Sequence, residues 1–231
     1  MVMGKTLAQQ FLTPEEQESV KSAVRAAERR TSGEIVPMIV SSSHSYPSAA
    51  ILGGGILGGM VSLLLTACVA HLIWSGINEL WIFLVLFICC TPVTGFLVSR
   101  TNTLKRLFLT EHQMEGEVQK SAFISFFTEN LHKTKDENGV LLYISLFERK
   151  AWILGDTNIN KKIPFETWQH IVDGLTRGIR EQQQAEALCR AIDEVTQILA
   201  THFPWQKDDE DELKNLILEE RPRQLHNLVI H

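Results

Sequence analysis

The sequence predicts an α/β fold, a small mixed sheet with helices on both faces, interrupted by a transmembrane helical hairpin. Three observations carry this reading. Two long stretches are almost free of charge: no Asp, Glu, Lys or Arg occurs in 49–78 or in 80–99, and Glu79 alone stands between them. Apolar and β-branched runs of strand length lie on either side of these stretches. Apolar residues spaced by three and four fill the remainder, as on one face of a helix.

The first element is a helix opening at Thr13-Pro14-Glu15-Glu16, where Thr13 caps, Pro14 suits the first helical position and Glu16 completes a capping box. Val20, Val24 and Ala27 form its buried stripe, and Ser32-Gly33 ends it, with glycine in the left-handed conformation after the last turn. Residues 34–40 (EIVPMIV) read as a strand, which Pro37 directs to a sheet edge or a bulge because proline gives no ladder donor.

The two uncharged stretches follow. A helix rises 1.5 Å per residue, so about 20 residues cross the ~30 Å hydrocarbon layer, and each stretch is long enough. The break 75–79 (SGINE) supplies Gly76 and Asn78 for a short turn, flanked by Trp74 and Trp81 at interfacial positions. No Lys or Arg occurs between Arg30 and Arg100, after which Arg100, Lys105 and Arg106 arrive together. By the positive-inside rule that flank faces the cytoplasm, and a hairpin returns both flanks to one side. The segment 53–58 (GGGILG) matches the dinucleotide pattern G-x-G-x-x-G, but no strand precedes it and the helix beyond is apolar all round. The better reading is a membrane helix whose Gly54/Gly58 and Gly55/Gly59 pairs form small-residue contact faces.

Beyond the hairpin, Leu104, Leu107, Phe108, Val118, Ala122 and Phe126 predict one long helix that continues from the second membrane helix. Residues 139–147 (GVLLYISLF) read as a strand covered on both faces. Glu148-Arg149-Lys150 turns the chain into a second strand at 151–154, an antiparallel hairpin closed by Gly155-Asp156-Thr157-Asn158. Pro164 opens a helix carrying Trp168, Ile171, Val172, Leu175 and Ile179, and another carries Leu188, Ala191, Ile192, Val195, Ile198 and Leu199 before Phe203-Pro204. The expected organisation is one discontinuous domain from 1–46 and 99–204, the hairpin at 47–98, and an acidic polar tail at 205–231 that includes the solvated run 208–212.

The 22 Lys and Arg against 27 Asp and Glu leave a net charge of −5, without the basic cluster that tracks a phosphate backbone, so nucleic acid is excluded as a partner. The first residues lack the apolar run of a removable signal peptide. Of four cysteines, Cys68, Cys89 and Cys90 lie in the apolar stretches and only Cys189 remains for the soluble part, which fits a reduced compartment.

The segments 28–36 (ERRTSGEIV) and 138–145 (NGVLLYIS), Arg149 through Gly155-Asp156, and Phe203-Pro204 with 211–213 resemble the TPM domain family over most of 12–213. The closest likeness is to a bacterial membrane branch whose apolar hairpin interrupts the domain after its first strand. Thr31, Gly33, Asn138, Gly139 and Gly155 are the motif positions. The resemblance implies an αβα sandwich with a mixed sheet. It also implies a place in the cell envelope as a multi-pass protein of the cytoplasmic (inner) membrane, and, because similar membrane members are encoded beside LemA-type proteins, a LemA-type membrane protein as a candidate partner. Some members are credited with weak acid phosphatase activity or divalent-ion binding.

On that basis Glu34 and Asp156, both at strand ends, are the candidate ligands of a Ca²⁺ or Mg²⁺ ion, the alternative being that they accept bonds from turn amides. His112-x-x-Glu115 and His170-x-x-Asp173 each place two possible ligands one turn apart without a third, and read as solvated helix faces. No G-x-S-x-G, H-E-x-x-H or P-loop lysine is present. The expected function is therefore a membrane-anchored, non-enzymatic binding or assembly module in the envelope. Its partners are the bilayer, a second copy of the chain or a LemA-type protein, and the alternative is a weak divalent-metal-dependent phosphatase.

Overall fold

The computed structural model describes residues 6–73, 79–134, 137–205 and 213–221. Trp74, the turn at 75–78 and the acidic run at 208–212 lie outside them. The chain divides into two compact units, Met1–His44 with Glu115–His231, and Ser45–Met114.

The first unit is an α/β layer structure. Helices α1 (Leu7–Phe11) and α2 (Pro14–Glu28) each begin with a capping box, Thr6 with Gln9 and Thr13 with Glu16. Strand β1 (Glu34–Val40) pairs in parallel with β2 (Gly139–Ser145), and β2 pairs antiparallel with β3 (Lys150–Gly155). Helices α8 (Phe165–Arg180) and α9 (Gln184–His202) follow, and β4 (Ile217–Glu219) then pairs in parallel with β1, giving the order β3-β2-β1-β4. Alternation along each strand divides the core in two. Ile35, Ile39, Val140, Leu142 and Ile144 meet Val20 and Val24 of α2, Trp168, Ile171 and Leu175 of α8, and Leu188, Val195 and Leu199 of α9. Val36, Met38, Val40, Leu141 and Tyr143 meet Val118, Ala122 and Phe126 of α6 (Glu111–Thr128). Every residue of β1 and β2 is buried, as strands covered on both faces must be.

Four expectations change. Gly33 is not left-handed, because no described glycine has positive φ. Its lack of a side chain serves packing instead, since a Cβ there would lie 2.8 Å from Leu199 Cδ1. Pro37 sits in the central strand rather than at an edge. Glu34 N donates to Asn138 O on the β2 side and Ser41 N to Glu219 O on the β4 side, so odd positions of β1 turn their nitrogens toward β4. That ladder begins only at Met38, and Pro37 therefore removes no donor that a neighbour needs. The long helix after the hairpin is broken into α5 (Asn102–Leu107) and α6, because Thr110 and Gln113 form a reciprocal cap that restarts the chain. Finally, residues 205–231 are more than a polar tail, since Ile217–Glu219 complete the sheet and Ile217 is 5 % exposed.

The second unit holds α3 (Pro47–Ile73) and α4 (Glu79–Arg100), two helices long and apolar enough to cross a membrane. They pack antiparallel through glycine. A Cβ on Gly54 would fall 2.9 Å from Gly95 Cα, and one on Gly58 would fall 2.8 Å from Thr91 Cα. The Thr94 hydroxyl lies 3.0 Å from the Gly54 carbonyl across the pair, a donor it shares with the Cys90 carbonyl at 2.9 Å. Gly53 to Gly58 thus lie inside a helix, which removes the dinucleotide reading. The two small-residue faces differ: Gly54 and Gly58 are consumed within the hairpin, whereas Gly55 has nothing within 4 Å and Gly59 only touches Phe87.

Candidate functional site

Two ends of the sheet gather polar chemistry. At the first, where β1 and β2 begin, Glu34 aligns with Gly139, and the next residue of β2, Val140, aligns with Gly155. Glu34 and Asp156 therefore flank Gly139, one on each neighbouring strand, and by strand alternation both project to the α6 face. Asp156 N donates to Gly139 O at 2.9 Å, which fixes this row. Asp156 caps the short helix α7 (Thr157–Asn160), accepting from Thr157 N through Oδ1 at 2.6 Å, while its Oδ2 is buried without a hydrogen-bond partner. Both residues are 7 % exposed. No group of three His, Cys, Asp or Glu side chains is poised around a common point among the described residues. What this row can offer a cation is two carboxylates, a donor set that suits an ion keeping several waters, as Mg²⁺ does.

The TPM-like motif positions hold this end together rather than supply chemistry. Thr31 Oγ1 donates to Phe203 O at 2.6 Å and accepts from Gly33 N at 3.1 Å, and Asn138 Nδ2 donates to Ser32 O at 2.6 Å. Gly139 is obligatory, since a Cβ there would sit 2.6 Å from the Leu131 carbonyl oxygen. Gly155 makes room for Ile159 in the same way. His112, Glu115, His170 and Asp173 are all exposed on helix surfaces, and Asp173 accepts from Gln169 at 3.0 Å. Burial pushes the half-buried Cys189 thiol up in pKa, which makes it a poor nucleophile.

The other end, where β1 and β2 finish, was not singled out by sequence. Glu148, 1 % exposed in the β2–β3 turn, accepts from Ser43 N at 3.0 Å and from Ser42 Oγ at 3.4 Å, and Ser145 Oγ donates to its second oxygen. Tyr143 OH and Ser43 Oγ lie 3.1 Å apart, and Ser121 Oγ of α6 donates to Ser43 O at 3.1 Å. Burial above all, with the Glu148 carboxylate adding to it, raises the Tyr143 phenol far above its ordinary value, so it stays protonated. A signal was available: a tyrosine in an otherwise apolar, doubly covered strand needs a partner for its hydroxyl. This end is also where β1 has β2 on one side and β4 on the other, the position at which open parallel sheets receive ligands. Beside it lies a cavity of about 680 Å³ between the β2–β3 turn, α1 and α8.

Residues 98–198 match the sequence family described as the TPM domain. No curated protein shows significant similarity to the chain. Among solved structures, the chain is similar to the NMR structure of BA42 protein from the psychrophilic bacterium Bizionia argentinensis, at 22 % identity, a TM-score of 0.54, and coverage of 95 % of this chain and 99 % of that one. At that identity the likeness speaks for the fold.

Proposed function

We propose that the chain is an inner-membrane protein of a bacterial envelope, in which α3 and α4 anchor a cytoplasmic TPM domain, matched by its family over residues 98–198, that works as a non-enzymatic binding and assembly module. The observation that carries this reading is the outer surface of the helix pair. Leu72 is 81 % exposed, Ile51 74 %, Ile88 69 %, Leu64 67 % and Trp81 65 %. A core helix of a soluble protein would have such side chains covered, and soluble monomers rarely expose so continuous an apolar surface. Lipid is a solvent in which that surface costs nothing, while the backbone polar groups stay satisfied within the helices. Arg100, Lys105 and Arg106 at the second flank support the cytoplasmic orientation.

The first test is fractionation. The full chain is expected in the membrane pellet after an alkaline wash, released only by detergent, and a chain that stays in the supernatant overturns the anchor. Orientation is read with a Cys189→Ala chain carrying Glu166→Cys on the exposed start of α8. A membrane-impermeant maleimide should label it only after spheroplasts are permeabilised. For assembly, the candidate partners are a second copy and a LemA-type protein, and crosslinking in native membranes that recovers only monomer argues against both.

A second reading, a weak divalent-metal-dependent phosphatase, has one observation in its favour: Glu34 and Asp156 flank Gly139 on one face, with Asp156 Oδ2 buried and unbonded. On this second reading, hydrolysis of p-nitrophenyl phosphate by the full chain would depend on Mg²⁺, Mn²⁺ or Ca²⁺ and vanish in Glu34→Ala and Asp156→Ala, whereas the first reading expects no hydrolysis. Activity that survives both substitutions removes this site.

A further inference from the structure

The cavity beside the β2–β3 turn is built differently from either carboxylate end. Its walls are apolar, from Leu7 and Phe11 of α1, Ile144 and Ala151 of the sheet, and Ile179 of α8. Its polar lining carries Arg149 and Arg180 with Gln10, Thr176 and Gln182, and includes no Asp or Glu. No acid among the lining residues offsets the two guanidinium groups of Arg149 and Arg180. Lys150 reaches Glu115 at 3.8 Å, but neither Arg149 nor Arg180 has an ion-pair partner among the described residues. The volume, about 680 Å³, lies in the range of small-molecule sites.

Backbone conformation adds an independent sign. Arg149 has φ 54° and Gln182 has φ 62°, the left-handed region where glycine is the ordinary residue. Both line this cavity. Each therefore holds a long polar side chain at the rim in a backbone conformation that a smaller residue would adopt with less strain, the pattern expected where the side chain is needed. The wall from α1 is tied down rather than loose, since Ala8 N donates to Ser41 Oγ at 2.9 Å.

We propose that this cavity binds an anionic amphiphile, a phosphate or carboxylate head held by Arg149 and Arg180 with its apolar body seated between Phe11, Ile144 and Ile179. Guanidinium groups suit such oxyanions because they present paired donors in one plane. The proposal concerns the α/β unit alone and does not depend on the assembly role. Two sources supply this chemistry: a soluble short-chain phosphate ester, and the headgroup and upper acyl chain of an anionic phospholipid.

The test uses the full chain in phosphatidylcholine nanodiscs, whose incorporation is checked by co-elution before any ligand is added, so that failure of the membrane reading is seen separately. Hexyl phosphate is titrated calorimetrically, with hexanol and inorganic phosphate as comparators. Saturable one-to-one binding of hexyl phosphate is expected, at least tenfold tighter than either comparator. Arg149→Gln with Arg180→Gln should weaken it tenfold or more without moving the unfolding midpoint, and Ala151→Leu, which fills the floor, should weaken it as well. Equal affinity for hexanol, unchanged affinity in the double variant, or no saturable binding overturns the proposal. Repeating the titration in phosphatidylglycerol nanodiscs assigns the source: loss of apparent affinity identifies the lipid as competitor, and unchanged affinity identifies a soluble ligand.

Discussion

Replacing Glu148 by alanine destabilises the α/β unit by about 3 kcal/mol, because buried donors left without an acceptor cost about 1–3 kcal/mol each. Glu148 is 1 % exposed and takes bonds from Ser43 N and Ser145 Oγ, while Ser42 Oγ, at 3.4 Å, also has the His44 carbonyl at 2.7 Å. Charge-assisted bonds of this kind are roughly twice as strong as neutral ones. The same carboxylate ties the β2–β3 turn to the segment leaving β1, so its removal loosens two strand ends together. In thermal unfolding of the full chain the midpoint should fall by roughly 6–12 °C, at about 2–4 °C per kcal/mol for a unit of this size. Glu148→Gln keeps the shape and one carbonyl acceptor, and should lose about half as much. A shift of less than about 2 °C for the alanine variant would mean that water replaces the carboxylate without penalty.

The second large effect belongs to the hairpin. Gly54→Leu and Gly58→Leu each place a Cβ under 3.0 Å from backbone atoms of α4, Gly95 Cα at 2.9 Å and Thr91 Cα at 2.8 Å, and backbone cannot swing aside as a side chain can. Overpacking of this kind costs about 1–3 kcal/mol, and here it also breaks the Thr94 bond to the Gly54 carbonyl. Hydrogen exchange of α4 amides near 91–98 in nanodiscs should accelerate tenfold or more in either variant. Gly55→Leu is the control, since nothing lies within 4 Å of that position. It should leave exchange unchanged, and if a second copy packs on that face it should abolish crosslinked dimer while the hairpin stays closed. Equal exchange in all three variants would show that the close glycine contact does not hold the pair.

Several features were legible from residues alone because they are local. Thr13 and Glu16 cap a helix by reaching three residues, the apolar run at 139–145 can be only a doubly covered strand or a short buried helix, and Lys150 to Gly155 returns beside it through a turn of a few residues. The Thr110–Gln113 cap was equally local and was outweighed by the apolar spacing around it, which continues across the break. The TPM-like motif was readable as a pattern, yet its work emerged only in three dimensions, where Thr31, Asn138 and Gly139 bring the end of α9, 3₁₀ turn Leu131–Lys133 and the start of β1 into contact.

The strand Ile217–Glu219 shows the limit most clearly. It has three residues in a polar neighbourhood, too short for any periodicity, and it becomes a strand because β1 offers it an open ladder beyond Pro37. Likewise, Glu148 looked like a turn residue, and only the return of Ser42 and Ser43 to its side, more than a hundred positions earlier in the chain, makes it the centre of a buried network. The sequence by itself determined the class of fold, the Thr13–Glu16 cap of α2 and the presence of two helices fit for a bilayer, since each depends on composition and spacing within one segment. Tertiary structure alone decided the central place of β1, which glycines close the hairpin and which arginines line one cavity without an acid beside them, because those depend on which distant segments meet, and meeting is set by the packing of the whole core rather than by any one stretch of it.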